Sequence, residues 1–295
     1  MPVNAIENYL RQLFEAKFDS LISSLEIQSV TGGSINNAHK VTINTSLHFF
    51  LKSNSVSTFP GLFSSERNSL EFLDKQKVIA IPAIIDYTET GKQQFLLLEW
   101  IETGNKTSRF WKTFGEKLAQ LHKISNEKFG FAEDNYIGAL HQYNTYTNNW
   151  TDFFIHQRLQ PQVKMAIEKN LLPAKTVFSF DKLYKVLDTF FDISRPSLLH
   201  GDLWSGNFLC DKNEAPVLID PAAYFGHRSM DLAMTTLFGG FDKLFYESYH
   251  YHFPLPASYK QQWEICNLYP LLVHLNLFGI SYLQDIELIL RKFSG

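Results

Sequence analysis

The chain has 295 residues, about twice the ~150 residues of a typical domain, so its length favours one large domain or two joined lobes. Apolar residues make up 45% of it and charged residues 19%, a composition that excludes a disordered chain and supplies a sizeable core, which we expect the 26 phenylalanines to fill. With 27 basic and 30 acidic residues the formal net charge is -3, which excludes the basic surface of a protein that binds nucleic acid or an anionic membrane.

The two cysteines, Cys210 and Cys266, are far apart and fit no metal-ligand spacing. They exclude a disulfide-rich secreted scaffold and favour a reduced cytoplasmic location. The first residues lack the basic patch and apolar run of a signal peptide. The most apolar segment, 268–283, contains Pro270 and is shorter than the ~20 residues that cross a bilayer. We therefore expect a soluble, cytoplasmic protein.

The first third of the chain predicts strands with two helices. Ile6, Leu10, Leu13 and Phe14 recur at helical spacing and predict an amphipathic first helix. Strand patterns follow, then a helix beginning at Ser64, then two more strands. The predicted strands cover residues 27–30, 38–43, 47–52, 82–85 and 95–100. This order is typical of an antiparallel sheet with a helix packed on it.

Beyond residue 102 the patterns are mainly helical. Helices are predicted around residues 111–122, at 150–168, at 182–191 and from 229 to the end, and two short strands at 208–210 and 217–219. We therefore expect an α+β fold of two lobes. Residues 1–101 would form a first lobe with a small antiparallel sheet, and residues 102–295 a second, mainly helical lobe.

The segment 200–220 contains polar residues whose types and spacing are typical of a catalytic site. His200, Asp202 and Asn207 form the motif H-x-D-x4-N, and Asp220 follows a predicted hairpin 18 residues after Asp202. Phosphoryl transfer from ATP needs one carboxylate to orient the acceptor hydroxyl and take its proton, and a carboxylate and an amide oxygen to hold Mg²⁺. Protein kinases place these groups in the same order. Asp202 is therefore the candidate base, and Asn207 and Asp220 are the candidate metal ligands.

Each member alone has an ordinary structural explanation: a core histidine at His200, a turn at Asp220 and a cap at Asn207. Their joint spacing favours the catalytic interpretation. The next acidic residue, Asp231, follows Asp220 by only 11 positions. This spacing leaves no room for a long activation segment and favours a small-molecule acceptor. Asp231 either supports the catalytic loop or is a charge at a helix N-terminus.

The first lobe offers a matching ion pair. Lys52 lies in a predicted strand, where a kinase places the lysine that contacts the α/β-phosphates, and Glu66 lies 14 positions on, in the following helix. Alone, Lys52 could be an edge lysine and Glu66 a solvated helix charge; their order favours a phosphate-binding pair.

Two more segments could bind the nucleotide. Gly32, Gly33 and Ser34 lie between two predicted strands, so their backbone N–H groups could cover the phosphates, although two glycines also suit an ordinary hairpin. Glu99 and Ile101, at the proposed lobe junction, could offer backbone groups to adenine. Residues 1–101 would thus be the nucleotide-binding lobe, and residues 102–295 the catalytic and substrate lobe.

The chain resembles the fructosamine kinase (ketosamine-3-kinase) family, which belongs to the aminoglycoside-phosphotransferase-like kinases. The matching segments cover almost the whole chain and are Gly32–Asn36, Asp134–Gly138, Trp150–Phe154, Gln157–Leu159, His200–Asn207, Asp220–Ala222, Gly226–Arg228, Asp231–Met234, Leu237–Phe241 and Asn276–Gly279. The H-G-D-x4-N motif is shared by many small-molecule kinases, whereas Leu-Trp-Ser-Gly and Phe-Gly-Gly-Phe are more specific to this family.

The resemblance implies ATP- and Mg²⁺-dependent phosphorylation of the 3-hydroxyl of ketosamines, either free adducts or glycated proteins, whose unstable product releases the amine. It implies that Trp204 packs against the sugar, with a core tryptophan as the alternative. Ser34 stands where many eukaryotic members carry a redox-active cysteine, so a disulfide-linked dimer through that loop is not expected. A kinase of another small alcohol (aminoglycoside, choline or homoserine) and a non-catalytic pseudokinase that serves as a binding module remain alternatives.

Overall fold

The computed structural model describes residues 3–18, 22–30 and 36–293. Contacts between Cα atoms divide the chain into two compact units. Unit 1 comprises residues 1–67 and 82–102, and unit 2 comprises residues 68–81 and 103–295. In the described part of the chain, no helix is both long enough and apolar enough to cross a membrane.

The helices and strands of unit 1 are α1 (Val3–Phe18), β1 (Leu25–Ser29), β2 (Asn37–Ile43), β3 (Leu47–Ser55), α2 (Leu62–Lys75, which continues into unit 2), β4 (Ile84–Thr90) and β5 (Gln93–Glu99). Among the described residues of this unit, the strands form a five-stranded antiparallel sheet in the order β1-β2-β3-β5-β4. The predicted antiparallel sheet and first helix are confirmed, with shifted ends. The sheet's apolar face and α1 form one core, in which Tyr9 stacks on Phe95 with ring centroids 4.4 Å apart.

The first helix is also held to the sheet by polar contacts at Asp86 of β4. The Tyr9 hydroxyl and Thr88 Oγ1 donate to Asp86 Oδ2 at 2.8 and 2.7 Å, and Lys17 forms an ion pair with the same carboxylate. Burial favours the neutral form of Asp86, but these donors outweigh it and lower the pKa of the carboxyl group.

Unit 2 is mainly helical, as predicted. Its helices are α3 (Ser108–His122), α4 (Trp150–Phe153), α5 (Gln160–Glu168), α6 (Ala174–Val186), α7 (Ser229–Leu237), α8 (Lys243–His252), α9 (Tyr259–Cys266), α10 (Leu268–Phe278) and α11 (Leu283–Phe293). Over its residues 68–81 and 103–293, its strands form three two-stranded antiparallel pairs: β6 (Asn135–Ile137) with β7 (Leu140–Gln142), β8 (Ser197–Leu199) with β11 (Tyr224–Gly226), and β9 (Phe208–Cys210) with β10 (Pro216–Leu218).

Aromatic side chains fill the core of unit 2, as the composition predicted. Phe208, directly after Asn207, packs against Phe114 and Phe241 with ring centroids 4.9 and 5.0 Å apart. The hairpin that follows the catalytic motif is thereby anchored to α3.

The predicted helix at 150–168 is interrupted. A π-helical turn, Phe154–Leu159, separates α4 from α5. Pro161 has no N–H to donate to the Gln157 carbonyl, which would be its partner in an α-helix. The buried Arg158 donates to that carbonyl instead, from Nη1 at 3.0 Å.

The helix predicted at 182–191 begins earlier, at Ala174 after Pro173, and ends at Val186. Pro173 has extended backbone angles, φ of −63° and ψ of 148°, and the helix begins directly after it. The β6–β7 and β8–β11 pairs were not predicted. Three-residue strands are too short to show alternation, and the equally short β9 and β10 were predicted only because the polar turn at 211–215 separates them.

Candidate active site

The predicted catalytic loop, residues 200–207, connects β8 to β9. His200 is fully buried and fixes this loop through both ring nitrogens. Its Nε2 donates to the Ile219 carbonyl at 2.9 Å, and its Nδ1 accepts from the Asp202 N–H at 3.2 Å. Burial lowers the pKa of His200, so the ring is neutral at pH 7 and carries the one donor and one acceptor that these bonds need. His200 therefore links the Asp202 segment to the segment that precedes Asp220.

Asn207 directs its side-chain amide at Asp202. Its Nδ2 donates to the Asp202 backbone carbonyl at 2.8 Å and to Asp202 Oδ2 at 2.9 Å. Because the amide nitrogen is used in this way, the amide oxygen is the atom left to bind a cation. Oxygen atoms are the ligands that Mg²⁺ prefers, so the orientation of Asn207 fits its predicted role.

Asp220 lies two residues after β10, in the left-handed region with φ of +55°. Hydrogen bonds hold the residues on either side of it. The Ile219 N–H donates to the Asn207 carbonyl at 3.1 Å, and the Ala222 N–H donates to the His200 carbonyl at 2.9 Å. The two predicted metal ligands, Asn207 and Asp220, therefore belong to one hydrogen-bonded framework. Within the described ranges, no group of three or more His, Cys, Asp or Glu side chains forms another candidate metal site.

Gly201 is required by the close packing of this framework. Its φ is +86°, and a Cβ atom there would lie 2.0 Å from the Ala222 carbonyl oxygen. A larger residue would push the loop away from the segment that follows Asp220.

Asp231, in the first turn of α7, supports the catalytic loop. It accepts hydrogen bonds from the backbone N–H groups of His200 (2.7 Å) and Gly201 (2.9 Å) and from Nε2 of His122 (3.2 Å), whose Nδ1 accepts from the Tyr249 hydroxyl at 2.9 Å. Burial lowers the pKa of His122. Burial disfavours the charge on Asp231, but these donors outweigh it and lower the pKa of the carboxyl group. The pair is thus a neutral histidine and an ionised aspartate. Asp231 both supports the catalytic loop and places a negative charge in the first turn of a helix, so the two roles considered from the sequence occur together.

A second support comes from the β6–β7 hairpin, for which no sequence pattern predicted a role. Asn135 Nδ2 donates to the Ala223 carbonyl at 2.9 Å, and Gln142 Nε2 donates to the Ala222 carbonyl at 3.2 Å and to Asn135 Oδ1 at 2.7 Å. Both side chains are buried. They satisfy carbonyls just downstream of Asp220, which lie 88 and 80 residues away along the chain.

Trp204 is partly exposed, which excludes the core position considered as an alternative. Its ring meets that of Phe238 edge-on at 6.1 Å. A Cβ atom at Gly206 would lie 2.3 Å from the Trp204 ring, so glycine allows the indole to lie across the loop.

In unit 1, Lys52 and Glu66 form the expected ion pair. Lys52 in β3 and Glu66 in α2 are joined by an Nζ–Oε1 distance of 2.8 Å, with side chains only 4% and 10% exposed. A pair this buried is stable only in a fixed geometry with both partners present. Lys52 is therefore held in one orientation.

The other predicted nucleotide-binding residues are Glu99, Ile101 and the segment Gly32–Ser34. The Glu99 N–H donates to the Ala83 carbonyl at 2.8 Å, and Glu99 Oε2 accepts from the Ala83 N–H at 3.1 Å. This leaves Ile101, partly exposed after the end of β5, as the stronger candidate for an adenine contact. Gly32–Ser34 lie outside the described residues.

The buried histidine His227 makes the stability of the protein pH-dependent. Burial, with the nearby charge of Arg228, lowers the pKa of His227 to about 3. The unfolded chain binds this proton near pH 6.5 and the folded chain only near pH 3, so the free energy of unfolding should fall as pH drops through this window. At about 1.4 kcal/mol per pH unit, we expect a loss of about 2 kcal/mol between pH 6.5 and 5.

Urea denaturation of the wild type, His227→Gln and His156→Gln at pH 7 and 5 tests this expectation. His156 is exposed and is the matched control. The His227 substitution should reduce the pH dependence of the unfolding free energy, and the control should not. Equal pH dependence in all three proteins would contradict the assignment.

Comparison with known proteins identifies the family. The family model for fructosamine kinase matches residues 5–294. A "Probable ketoamine kinase" of Synechocystis sp. is 36% identical over 268 residues, covering 90% of each chain. A chloroplastic protein-ribulosamine 3-kinase of Arabidopsis thaliana is 35% identical over 262 residues, covering 87% of this chain and 79% of the relative.

Solved structures that resemble this chain include a fructosamine-3-kinase. The "Putative fructosamine-3-kinase" of Haemophilus somnus superposes with a TM-score of 0.86 and 25% identity, covering 96% of each chain. The aminoglycoside phosphotransferase APH(2'')-Ib, in its ADP-bound form, has a TM-score of 0.64 at 16% identity, covering 100% of this chain and 98% of the other, and shows the shared protein-kinase-like fold. This chain belongs to the fructosamine kinase family.

Proposed function

We propose that this protein is an ATP-dependent ketosamine-3-kinase, which phosphorylates the sugar 3-hydroxyl of fructosamine- or ribulosamine-type adducts and thereby leads to deglycation. The observation that carries this proposal is the catalytic loop, in which Asn207, His200 and Asp231 all hold the Asp202 segment. Membership of a family whose relatives are named for ketoamine and ribulosamine substrates supplies the acceptor class.

Asp202 would accept the proton of the 3-hydroxyl while that oxygen forms a bond to the γ-phosphorus of ATP and the bond from phosphorus to the ADP oxygen breaks. Asn207 and Asp220 would hold Mg²⁺, which when bound neutralises charge on the phosphates. Lys52, oriented by Glu66, would bind the α/β-phosphates. Catalysis then rests on positioning and charge stabilisation, which suits a loop fixed by so many hydrogen bonds.

Residues 1–101 would bind the nucleotide, with the Gly32–Ser34 segment over the phosphates and Ile101 beside adenine. Residues 102–295 would supply the catalytic groups and the acceptor site, in which Trp204 contacts the sugar. A cytoplasmic location is supported by the two cysteines, which are both buried and unpaired.

Phosphorus NMR with ATP, Mg²⁺ and a panel of acceptors tests the function. We expect a phosphorylated product with ribulosamine or fructosamine and none with kanamycin, choline or homoserine. Transfer to one of the latter alone would indicate a kinase of another small alcohol, and binding of ATP without any transfer would indicate a pseudokinase.

Asp220→Ala should remove most of the Mg²⁺-dependent stabilisation by ATP, because one carboxylate ligand is lost. The measurement is the rise in melting temperature on adding ATP with Mg²⁺. Asp181→Ala, at an exposed position on α6, is the matched control and should keep the full rise. An unchanged rise in Asp220→Ala would remove this residue from the metal site.

A further inference from the structure

Aromatic side chains form a continuous strip that leads away from the catalytic loop across unit 2. Trp204 contacts Phe238 (ring centroids 6.1 Å apart), Phe238 contacts His274 (4.8 Å), and His274 contacts Phe278 (5.4 Å) and Tyr282 (5.1 Å). These five residues are the aromatic strip. It starts two residues from the proposed base and runs from the catalytic loop to the C-terminal end of α10.

The outer part of the strip is open to solvent. Phe238 is 40% and Phe278 51% exposed, and neighbouring Ile280 is 62% exposed. Cβ atoms built at Gly239 and Gly279 would meet no atom within 4 Å, so space is open beside both phenylalanines. Contiguous exposed apolar side chains of this kind mark an interaction surface.

The strip itself carries no positive charge. His274 Nδ1 donates to the Pro270 carbonyl at 2.7 Å, and burial lowers the pKa of the ring, so His274 is neutral at pH 7. Its Nε2 is then the acceptor nitrogen. Neutral aromatic faces with an acceptor among them attract an organic ammonium group.

We propose that the aromatic strip binds the amine half of the ketosamine, which consists of the protonated secondary amine and an apolar substituent on it. This inference rests on the proposed function. In a ketosamine the amine is on C1 and the phosphorylated hydroxyl on C3, so a substrate whose 3-hydroxyl lies at Asp202 carries its ammonium close to Trp204, at the start of the strip. The substituent then continues over Phe238 and Phe278, where it covers exposed ring surface.

The strip therefore determines specificity for the amine. Adducts of amines with apolar or aromatic substituents should be better substrates than adducts of very small amines, because burial of ring surface favours their binding.

The test compares two adducts of the same ketose, formed from methylamine and from 4-phenylbutylamine, whose four methylene groups let the phenyl ring extend past Phe238 toward Phe278. We expect wild-type kcat/KM to be about tenfold higher for the 4-phenylbutylamine adduct, and Phe278→Ala to reduce this ratio to about two. Phe278→Tyr keeps the ring and should retain the preference. Phe178→Ala, which removes a 60% exposed phenylalanine from α6, is the matched control and should also retain it.

The outcomes separate this inference from the proposed function. Equal wild-type kcat/KM for the two adducts, or a preference that survives Phe278→Ala, would overturn the role of the strip while ketosamine kinase activity stands. Failure of the wild type to phosphorylate either adduct would overturn both.

Discussion

Replacing Asp202 with asparagine should lower kcat for phosphoryl transfer to a ketosamine by about a thousandfold, within the range for the loss of a general base. Asparagine has the shape of aspartate, and its amide oxygen can still accept the hydrogen bond that Asn207 donates at 2.9 Å. The loop should therefore keep its conformation and lose only the group that takes the proton.

The measurement is ADP formation with and without ketosamine, combined with the melting-temperature shift caused by ATP and Mg²⁺. Asp202→Asn should lose ketosamine-dependent turnover and keep most of the nucleotide shift. Asp242→Asn is the control, because Asp242 is an exposed helix N-cap, a position where asparagine serves equally well. Wild-type turnover in Asp202→Asn would show that another group is the base.

Asp231→Asn should have the largest effect on stability. One carboxylate accepts three hydrogen bonds here, and the amide that replaces one of its oxygens would face an N–H donor of the loop or of His122. Leaving buried donors unpaired and removing the charge should cost about 3 kcal/mol. At about 2–4 °C per kcal/mol this corresponds to a fall of roughly 6–12 °C in melting temperature.

Ketosamine-dependent turnover of Asp231→Asn should also fall, because the backbone of His200 and Gly201 is no longer held. It is measured at a temperature where the variant remains folded. Asp242→Asn again provides the control and should change neither the melting temperature nor kcat. A melting temperature within about 2 °C of the wild type would show that Asp231 does not support the loop in the way that the hydrogen bonds indicate.

The elements best predicted from the sequence are those with enough residues to show a period. The first helix and the sheet of unit 1 were predicted, because apolar residues recur over whole turns or strands. The prediction was wrong where one residue changed the hydrogen bonding. Pro161 breaks the helical repeat, and a buried arginine on the preceding turn compensates for the missing N–H, which periodicity alone does not reveal.

The candidate catalytic groups were found because they are close together in sequence and of unusual types for their positions. His200 was assigned only a place in the motif, whereas its two ring nitrogens join two segments of the site. Asn135 and Gln142 were assigned no role. Their partners are backbone carbonyls, which every residue has, so no side-chain pattern marks such a pairing.

The amino-acid sequence by itself determined which groups are available: a candidate base, two candidate oxygen ligands for a cation, a lysine with its glutamate, and a core rich in phenylalanine. Only the tertiary structure decided how these groups are held. It places Asp231 against the N–H groups of His200 and Gly201, and it lines up Trp204, Phe238, His274 and Phe278 into one strip. The physical reason is that hydrogen bonds and ring contacts between residues far apart along the chain depend on how the backbone packs. The local pattern of apolar and polar residues does not specify that packing.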